Sequence, residues 1–380
     1  MERGANCLIL VAGATTAVTN SAIAGLVEEA GRGDFVADIW GASHSVIGLS
    51  DGKMIDLGAQ KRKIVEGLRR TPGSVLSGAH RVLDDSEGAA FIEILRKNEI
   101  GSLFVLGGLP ALGLTRFFIQ AAQEADFALT TLCVPLSSEN EVNAGDHNPG
   151  YGSMARFVAS GARDAGRAAS SGETPLLVVE VAGKNCGWAA ASAALARDAQ
   201  NPAPHAVLTP EVAVDLETLT DELRRAYQKY GYAVCVTSEG ARSTDGQDLS
   251  GDALLGLMSA KLNIAGKCDR PGQMARVAQA AISRADADEA YNLGTLAMRL
   301  AGDEMSGYVV TAGRDAHSGE RNDRGYRSVE VTVQLAQVED APRQLPSHYV
   351  NESGTQISEA FVDWARPLVG GALPEYISLA

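Results

Sequence analysis

The sequence lacks three features, each of which would indicate a particular class of protein: a long hydrophobic run, an excess of basic residues and closely spaced cysteines. No segment of the 380 residues approaches the roughly 18 consecutive apolar residues of a membrane span, and the first residues lack the basic region and apolar run of a signal peptide. Lysine and arginine total 33 against 47 acidic residues, which gives a formal net charge of -14. Nucleic acid and anionic membranes repel such a protein. We therefore expect a cytoplasmic protein that binds neither, and whose anionic ligands need a local basic pocket.

The cysteines are few, odd in number and without the CxxC spacing of metal sites. Most of them lie in apolar runs typical of strands, and none has an adjacent histidine or a helix-start context that would lower its pKa. We expect buried thiols in a reducing compartment rather than a catalytic cysteine. The five residues are Cys7, Cys133, Cys186, Cys235 and Cys268.

Short apolar runs, each followed by a Gly-rich turn and then a helical pattern, recur along the chain. The clearest runs are residues 7–11, 103–106, 176–181 and 233–236. This alternation predicts an α/β protein with mainly parallel sheets and crossover helices, and the length suggests about two domains. The Ala-rich residues 275–281 have the pattern of a buried helix. Ligands of parallel sheets bind where a strand ends and a helix begins, so the turns after each run are the first candidates for a site.

Two of these turns are rich in small residues. The first, AGATTAVTN (12–20), would place backbone amides at a helix start, which suits an anion. A tight turn without a ligand explains the same residues equally well, because the sequence fits neither the Walker pattern nor GxGxxG. The second, GGLPA (107–111), has glycines that permit close approach but no carboxylate, and Pro110 removes an amide donor.

A third turn, LSSENE (136–141), contains two carboxylates and is followed by GDHNPGYGS (145–153). Glu139 and Glu141 are separated by one residue, a spacing that suits metal binding or acceptance of a hydroxyl proton. Acidic residues are also common in solvated loops, and the spacing alone favours that interpretation.

Taken in order along the chain, these three turns resemble those of the phosphofructokinase family. Further segments that resemble the family are LSDGK (49–53), TPGSVL (71–76), GDHNPGYGS (145–153), VEVAGK (179–184), LTPEV (208–212), SEG (238–240) and ARPL (365–368). The GDHNPGYGS and ARPL segments are more similar to the pyrophosphate-dependent branch than to the short ATP-dependent one. The resemblance implies an α/β, phosphofructokinase-like fold of two Rossmann-like lobes with a cleft between them, assembled as a homodimer or homotetramer.

The resemblance also implies how the chain is divided between the two lobes. Residues 1–149 would form an N-terminal, donor-side lobe that part of residues 275–330 completes. Residues 150–274 would form a sugar-phosphate-side lobe that residues 331–380 complete.

On the donor side, the resemblance implies a site in which several chemical groups are replaced. The family uses GGD, GGDGS or GGDDS, and PKTIDND motifs to supply donor-phosphate ligands, metal ligands and a base. Here Thr15 and Leu109 stand where the family has acidic residues, and Leu136 stands where it has a lysine. Glu139 stands at the catalytic base and Glu141 at the second aspartate, so both acids are kept as longer homologues. The remaining positions of the donor loops are Gly13, Asn20, His80, Arg81, Gly107 and Gly108.

The sugar-phosphate side retains more of the residue types of the family than the donor side does. Positions that resemble those holding fructose 6-phosphate are Ser137, Gly183, Lys184, Glu211, Lys267, Gln273 and Arg276. Two of them are lysines where the family has arginines, and Pro175 stands where many relatives have a further arginine. Lysine is a point charge without bidentate geometry, so the resemblance implies a weaker pocket or one that accepts another sugar phosphate.

The family reaction transfers a phosphoryl group from pyrophosphate or ATP to the 1-hydroxyl of fructose 6-phosphate, with Mg²⁺ as cofactor. The resemblance also places Ala14 and Val18 at two loop glycines. Loss of the metal acid, the donor lysine and these glycines should slow such a transfer by orders of magnitude, so we expect standard activity to be impaired. Two hypotheses remain. In one, Glu139 is the base of a phosphotransferase with a changed donor or sugar, while Glu141 and Asp146 recruit the metal. In the other, the chain is a non-catalytic sugar-phosphate sensor or the regulatory subunit of an active paralogue.

Overall fold

The computed structural model describes residues 4–33, 35–172, 174–315 and 325–377. The strands within these ranges are β1 (Ala5–Ala12), β2 (Val36–Ala42), β3 (Met54–Asp56), β4 (Ile100–Gly107), β5 (Thr130–Pro135), β6 (Leu176–Val181), β7 (Ala206–Leu208), β8 (Ala233–Ser238), β9 (Gly266–Asp269), β10 (Tyr308–Arg314) and β11 (Ser328–Gln334). The helices are α1 (Thr19–Ala30), α2 (Val46–Ser50), α3 (Arg62–Leu68), α4 (Gly88–Lys97), α5 (Leu109–Glu124), α6 (Tyr151–Ser170), α7 (Trp188–Ala191), α8 (Leu216–Tyr230), α9 (Gly251–Leu262), α10 (Arg284–Gly302) and α11 (Glu359–Ala365). None of the helices in the described ranges is both long enough and apolar enough to cross a membrane.

Contacts within the chain divide it into two compact units. Unit 1 comprises residues 1–150 and 286–342, and unit 2 comprises residues 151–285 and 343–380, as far as these are described. The chain therefore passes from one unit to the other three times. Residues 316–324, which belong to the segment expected to complete the donor-side lobe, lie outside the described residues. The assignment of donor and sugar phosphate to the two units stays a prediction.

Unit 1 is built on a seven-stranded sheet in the order β11-β10-β5-β4-β1-β2-β3. The inner strands are parallel, whereas β3 and β11 pair antiparallel at the two edges. The side chains of residues 8–11 in β1 and 103–106 in β4 are fully buried, which explains why both strands are continuous apolar runs. Because β1, β4 and β5 are neighbours and parallel, the three turns that follow them meet at one edge of the sheet.

Unit 2 is built on a four-stranded parallel sheet in the order β7-β8-β6-β9. Leu176 and Val178 of β6 face α8 and α9, while Leu177 faces α6 on the opposite side. The α/β class with mainly parallel sheets and crossover helices is thus confirmed. The four runs predicted as strands lie within β1, β4, β6 and β8.

The helix predicted for residues 275–281 is wrong. The chain forms two short 3-10 segments there, Gly272–Val277 and Gln279–Ala281, separated by Ala278 in an extended conformation. Of the alanines in this stretch, Ala275 and Ala281 are buried, while the others are partly or fully exposed. So little apolar burial is insufficient to stabilise a helix, because most helical stability in proteins comes from a packed face.

The prediction of buried thiols is confirmed for four of the five cysteines, and Cys268 is half-buried. Burial raises the pKa of Cys7 and of Cys133 to about 12. Neither thiol therefore ionises near neutral pH, and neither has the reactivity of a catalytic thiolate.

Glycines on α1 and α10 allow these two helices of unit 1 to pack with their backbones in contact. A β-carbon on Gly25 would lie 2.1 Å from the carbonyl oxygen of Tyr291, and one on Gly294 would lie 2.2 Å from that of Ala22. Because non-bonded atoms do not approach so closely, a side chain at either position must push the helices apart. The packing of α10 on α1 thus supports the helix that follows the first turn.

We predict that Gly25→Ala lowers the free energy of unfolding by about 1–3 kcal/mol, because the added methyl group overpacks the contact with α10. The control is Gly113→Ala in α5, where a β-carbon meets nothing within 4 Å. That substitution should leave stability unchanged or raise it by up to about 1 kcal/mol, since alanine is the better helix former. Urea denaturation measures both, and equal effects of the two variants would contradict the interpretation.

Candidate functional site

The three turns of unit 1 are joined by backbone contacts at the carboxyl edge of its sheet. The amide of Leu136 donates to the carbonyl oxygen of Gly107 over 2.9 Å, and the amide of Gly13 donates to that of Ala79 over 2.8 Å. Gly107 has a φ of +143°, and a β-carbon there would lie 2.1 Å from the carbonyl oxygen of Ala12. Glycine at this position therefore lets β4 approach the end of β1 closely.

The first turn uses its own hydroxyl groups to satisfy its amides. The amide of Thr16 donates to the hydroxyl of Thr19 over 2.9 Å, and the amide of Val18 donates to the hydroxyl of Thr16 over 3.3 Å. These two amides are among those expected to suit an anion at the start of α1. In this conformation they are already bonded within the turn.

The side chain of Asn20 holds a neighbouring turn in place. Its amide group donates to the carbonyl oxygen of Thr71 over 3.0 Å, and its oxygen accepts from the amide of Val75 over 2.9 Å. His80 is exposed, and the adjacent Arg81 forms an ion pair with Glu87. A donor-binding role of these residues stays a prediction, and Arg81 would have to leave Glu87 to fulfil it.

The second turn is filled by two groups of the chain itself. The ring of Pro110 lies against Gly13, since a β-carbon on that glycine would be 3.1 Å from the proline Cγ. The carboxylate of Glu141 lies against Gly108, where a β-carbon would be 2.1 Å from Glu141 Oε1. The same oxygen accepts a hydrogen bond from the amide of Leu109 over 3.3 Å. Glu141 thus reaches from the third turn to the start of α5.

The third turn is braced by its own polar side chains. Ser137 Oγ accepts from the amide of Glu139 over 3.2 Å, which fixes the backbone just before the predicted base. Asn140 adopts a positive φ of 55°, and its side-chain oxygen accepts from the amide of Asn148 over 2.9 Å. Asn148 in turn accepts from the amide of Val142 over 2.8 Å. The half-buried Glu139 is therefore held on a backbone whose conformation these bonds define.

A buried network of ionisable groups fixes the segment that follows this turn, residues 145–153, to β10 and α10. His147 is fully buried, with Nδ1 3.0 Å from a carboxylate oxygen of Asp146 and Nε2 2.7 Å from one of Glu289. Arg314 pairs with Asp146 over 3.2 Å, and the hydroxyl of Tyr326 donates to Glu289 over 2.6 Å. Burial alone lowers the pKa of His147, but the two carboxylates outweigh it and raise the pKa to about 9. The imidazole is therefore a cation at neutral pH.

The carboxyl edge of the sheet in unit 2 collects the sugar-side candidates Gly183, Lys184 and Glu211. Gly183, with a φ of +133°, and the exposed Lys184 follow β6, while Glu211 follows β7. A β-carbon on Gly240, just after β8, would lie 2.0 Å from the carbonyl oxygen of Lys184. The turns after β6 and β8 are thus in direct contact.

Several polar atoms at this edge are buried without a hydrogen-bond partner among the described residues. Glu211 Oε1 accepts from the amides of Gly187 over 2.7 Å and Leu345 over 2.9 Å, but its Oε2 has no partner there. The hydroxyls of Thr209 and Ser238 are also buried without a hydrogen-bond partner among the described residues. A β-carbon on Gly187 would lie 2.6 Å from Glu211 Oε2 and 2.5 Å from Thr209 Cβ, so two of these three residues adjoin one glycine.

Of the remaining sugar-side candidates, Ser137 lies on the third turn of unit 1, while the other three lie elsewhere in unit 2. Lys267 is exposed on β9 and pairs in register with Leu177, four residues before the end of β6. At ~3.3 Å per residue, it lies about 13 Å below the edge that Lys184 occupies. Gln273 is exposed and Arg276 partly buried on the 3-10 segment after β9. The structure therefore brings Lys184 and Glu211 to one edge but does not bring Lys267 there.

Two further features concern a basic residue near these candidates and an acidic residue at the carboxyl edge. Arg270, the neighbour of the candidate cations, is bound to Glu180 and Asp252, each over 2.8 Å. Glu239 directly follows β8, and its amide donates to the carbonyl oxygen of Val181 over 3.3 Å. It therefore lies at the same edge as Lys184. The sequence analysis names the SEG segment (238–240) but not Glu239 as a site candidate, although its position immediately after an apolar run was a signal for one.

The described residues contain no group of three or more His, Cys, Asp or Glu side chains that could hold a metal ion. Mg²⁺ is usually held by one or two carboxylates together with substrate phosphates, so the lack of a preformed cluster does not conflict with Mg²⁺ binding. The third turn itself contains two carboxylates, Glu139 and Glu141.

The model of the phosphofructokinase family matches residues 6–300 of the chain. A pyrophosphate--fructose 6-phosphate 1-phosphotransferase from Halomonas elongata is 27% identical, over 96% of this chain and 92% of the relative. A sulfofructose kinase from Alkalicoccus urumqiensis is 26% identical, over 94% of each chain. The crystal structure of a pyrophosphate-dependent phosphofructokinase from Marinobacter aquaeolei superposes with a TM-score of 0.88 at 25% identity, over 98% of this chain and 94% of that one. The similarity thus extends over nearly the full length of the chains compared.

The buried ion network predicts a pH dependence of stability. The pKa of His147 is 6.5 in its ordinary state and about 9 in the folded protein, so its contribution is complete below pH 6.5 and is lost as the pH rises to about 9. That shift corresponds to a loss on the order of 3 kcal/mol in the free energy of unfolding.

Urea denaturation between pH 6 and pH 9.5 measures this loss. His147→Asn should be less stable at pH 6 and should flatten the profile, because no cation remains between the two carboxylates. His44→Asn, which replaces an exposed histidine, is the control and should keep the wild-type profile. A wild-type profile without a decline above pH 7 would contradict the role given to His147.

Proposed function

This chain belongs to the phosphofructokinase family, as its resemblance predicts, and on this premise we propose that it is a phosphotransferase that binds a sugar phosphate at the carboxyl edge of unit 2. The donor is pyrophosphate, and the phosphoryl group goes to a hydroxyl of the sugar phosphate. The replaced donor groups make the reaction slow compared with that of a member with intact motifs.

The observation that supports sugar binding most directly is the set of unpartnered buried atoms in unit 2. Glu211 Oε2 and the hydroxyls of Thr209 and Ser238 each lack a hydrogen-bond partner among the described residues. Leaving such a group unsatisfied costs about 1–3 kcal/mol, so sites of this kind are usually completed by a ligand or by water. A sugar offers several hydroxyls that both donate and accept, and therefore complements a carboxylate and two hydroxyls.

The exposed Lys184 beside these atoms supplies charge for a phosphate group. A chain of net charge -14 needs a local cation to hold an anionic ligand, and the primary amine of lysine is available at this edge. Arg270 contributes less, because Glu180 and Asp252 already neutralise it. One lysine without bidentate geometry fits modest affinity for the phosphate.

Glu139 is the general base of the proposed reaction. Its carboxylate takes the proton of the acceptor hydroxyl, the hydroxyl oxygen forms a bond to the terminal phosphorus of pyrophosphate, and the bond from that phosphorus to the bridging oxygen breaks. The products are the phosphorylated sugar and inorganic phosphate. Mg²⁺, when it binds with pyrophosphate, neutralises charge on the phosphate oxygens. The Glu139 amide donates a hydrogen bond to Ser137 Oγ, and the Asn148 amide donates one to the side-chain oxygen of Asn140. These two bonds keep the backbone of Glu139 in place.

The acceptor remains to be chosen among related sugars. The relatives include enzymes named for fructose 6-phosphate and one named for sulfofructose, both of which are similar to this chain at 26–27% identity. Fructose 6-phosphate is our first choice, because more of the relatives are named for it. Lysine in place of arginine makes other anionic sugars reasonable competitors.

The second candidate is a non-catalytic sugar-phosphate sensor or a regulatory subunit of an active paralogue. The observation that favours it is the filling of the second turn by Pro110 and Glu141. In this alternative the sugar phosphate binds, but no donor enters.

A homodimer or homotetramer is expected under both candidates, and light scattering after size-exclusion chromatography tests this oligomeric state.

We predict that wild-type protein binds fructose 6-phosphate in calorimetry and turns it over slowly with pyrophosphate and Mg²⁺ in a coupled assay. Glu139→Gln should abolish turnover and retain sugar-phosphate binding, because it removes only the proton acceptor. Glu211→Gln should weaken binding at least tenfold, since it changes the charge and hydrogen bonding of the buried group.

Glu217→Gln, an exposed carboxylate on α8, is the matched control and should change neither quantity. ATP and sulfofructose are tested in parallel as alternative donor and acceptor. Sugar-phosphate binding without turnover would favour the sensor. Absence of binding to any of the sugars would contradict both candidates.

A further inference from the structure

We infer that the carboxylate of Glu141 closes the donor side of this protein by occupying, from within the chain, the start of α5 where a donor phosphate would lie. Glu141 is then a residue that sets the affinity for the donor rather than one that recruits metal. The inference rests on the proposed function in taking the donor to be a phosphate anion.

Two contacts define the position of the carboxylate. Glu141 Oε1 accepts from the amide of Leu109 over 3.3 Å, and it lies so close to Gly108 that a β-carbon there would be only 2.1 Å away. No side chain of Gly108, the residue that precedes α5, is available to cap the helix. The amides at the start of a 16-residue helix are partly positive, so they attract the carboxylate as they would attract a phosphate.

The length of the glutamate side chain explains the contact. Glu141 belongs to the third turn and Leu109 to the second, and 32 residues separate them. An aspartate on the same backbone would place its carboxylate closer to the main chain by one carbon–carbon bond, about 1.5 Å, and would not reach the Leu109 amide. Leu109 contributes no acid of its own, so Glu141 does not meet a like charge there.

The neighbouring parts of the donor side are also filled, but by groups that cannot turn away. The ring of Pro110 lies against Gly13, and Pro110 has no amide hydrogen to donate. The amides of Thr16 and Val18 are bonded to threonine hydroxyls of their own turn. The half-buried Glu141 is attached through rotatable bonds, so it is the group here whose removal opens the helix start.

A phosphate placed at the start of α5 would face the carboxylate of Glu141 at close range. Both are anions, and their repulsion in a partly buried site is stronger than in bulk water. Pyrophosphate must therefore displace the carboxylate before it can use the Leu109 amide, and the wild-type protein should bind it weakly.

The test is calorimetric titration of the full-length protein with magnesium pyrophosphate in the absence of sugar. We expect Glu141→Gln to bind pyrophosphate at least tenfold more tightly than wild type, because the repulsion is gone. Glu141→Asp should give a smaller gain, since the charge stays but withdraws from α5. Glu124→Gln removes an equal charge at the exposed far end of α5 and should change the affinity less than twofold.

Equal affinities of wild type and Glu141→Gln would overturn the inference. Weaker binding by Glu141→Gln would also overturn it, and would identify Glu141 as a group that recruits Mg²⁺ instead. Thermal unfolding establishes that each variant is folded, and Glu141→Asp provides the comparison if the glutamine variant is not.

The same samples separate this inference from the proposed function. A gain in pyrophosphate affinity without any sugar-phosphate binding would sink the proposed function and leave the role of Glu141 intact. Turnover of sugar phosphate together with tight pyrophosphate binding by the wild-type protein would support the proposed function and contradict the role given to Glu141.

Discussion

The candidate donor side depends on a single backbone constraint, the close approach of three parallel strand ends in unit 1. Gly107 makes this possible, because its φ of +143° and its missing side chain let it contact Ala12 and accept a hydrogen bond from Leu136. With β1, β4 and β5 so joined, the three turns share one edge, and Glu141 is brought against Gly108. The meeting of the three turns at one edge thus follows from the packing of backbone.

A second constraint is electrostatic. The segment after the third turn is anchored by a buried cation, His147, placed between Asp146 and Glu289, with Arg314 and Tyr326 completing the network. Such a group is costly to bury unless every charge is paired, so the arrangement fixes the segment strongly once it has formed. The half-buried Glu139 and Glu141 lie on the turn that precedes this segment.

Much of the fold is predictable from the sequence, because β8 and most of β1, β4 and β6 are buried and therefore appear as apolar runs. Their order also predicts that the following turns hold the site. The prediction of a helix at residues 275–281 is wrong because composition does not reveal how little of this segment is buried. The contact of Glu141 with Leu109 could not be predicted, since it depends on the direction of a side chain across 32 residues. The position of Lys267 similarly depends on strand register, which the sequence of β9 does not determine.

We propose a sugar-phosphate site at the carboxyl edge of unit 2 and, within unit 1, a donor side that Glu141 keeps closed. Amide hydrogen exchange of the wild-type protein, followed by mass spectrometry, tests this most directly when fructose 6-phosphate and magnesium pyrophosphate are added separately. We predict that the sugar phosphate slows amide exchange in peptides covering residues 183–187 and 209–211. Pyrophosphate alone should leave the exchange of residues 107–112 unchanged from that of the protein without ligand. Protection of residues 107–112 by pyrophosphate, with none in unit 2 from the sugar phosphate, would contradict the account.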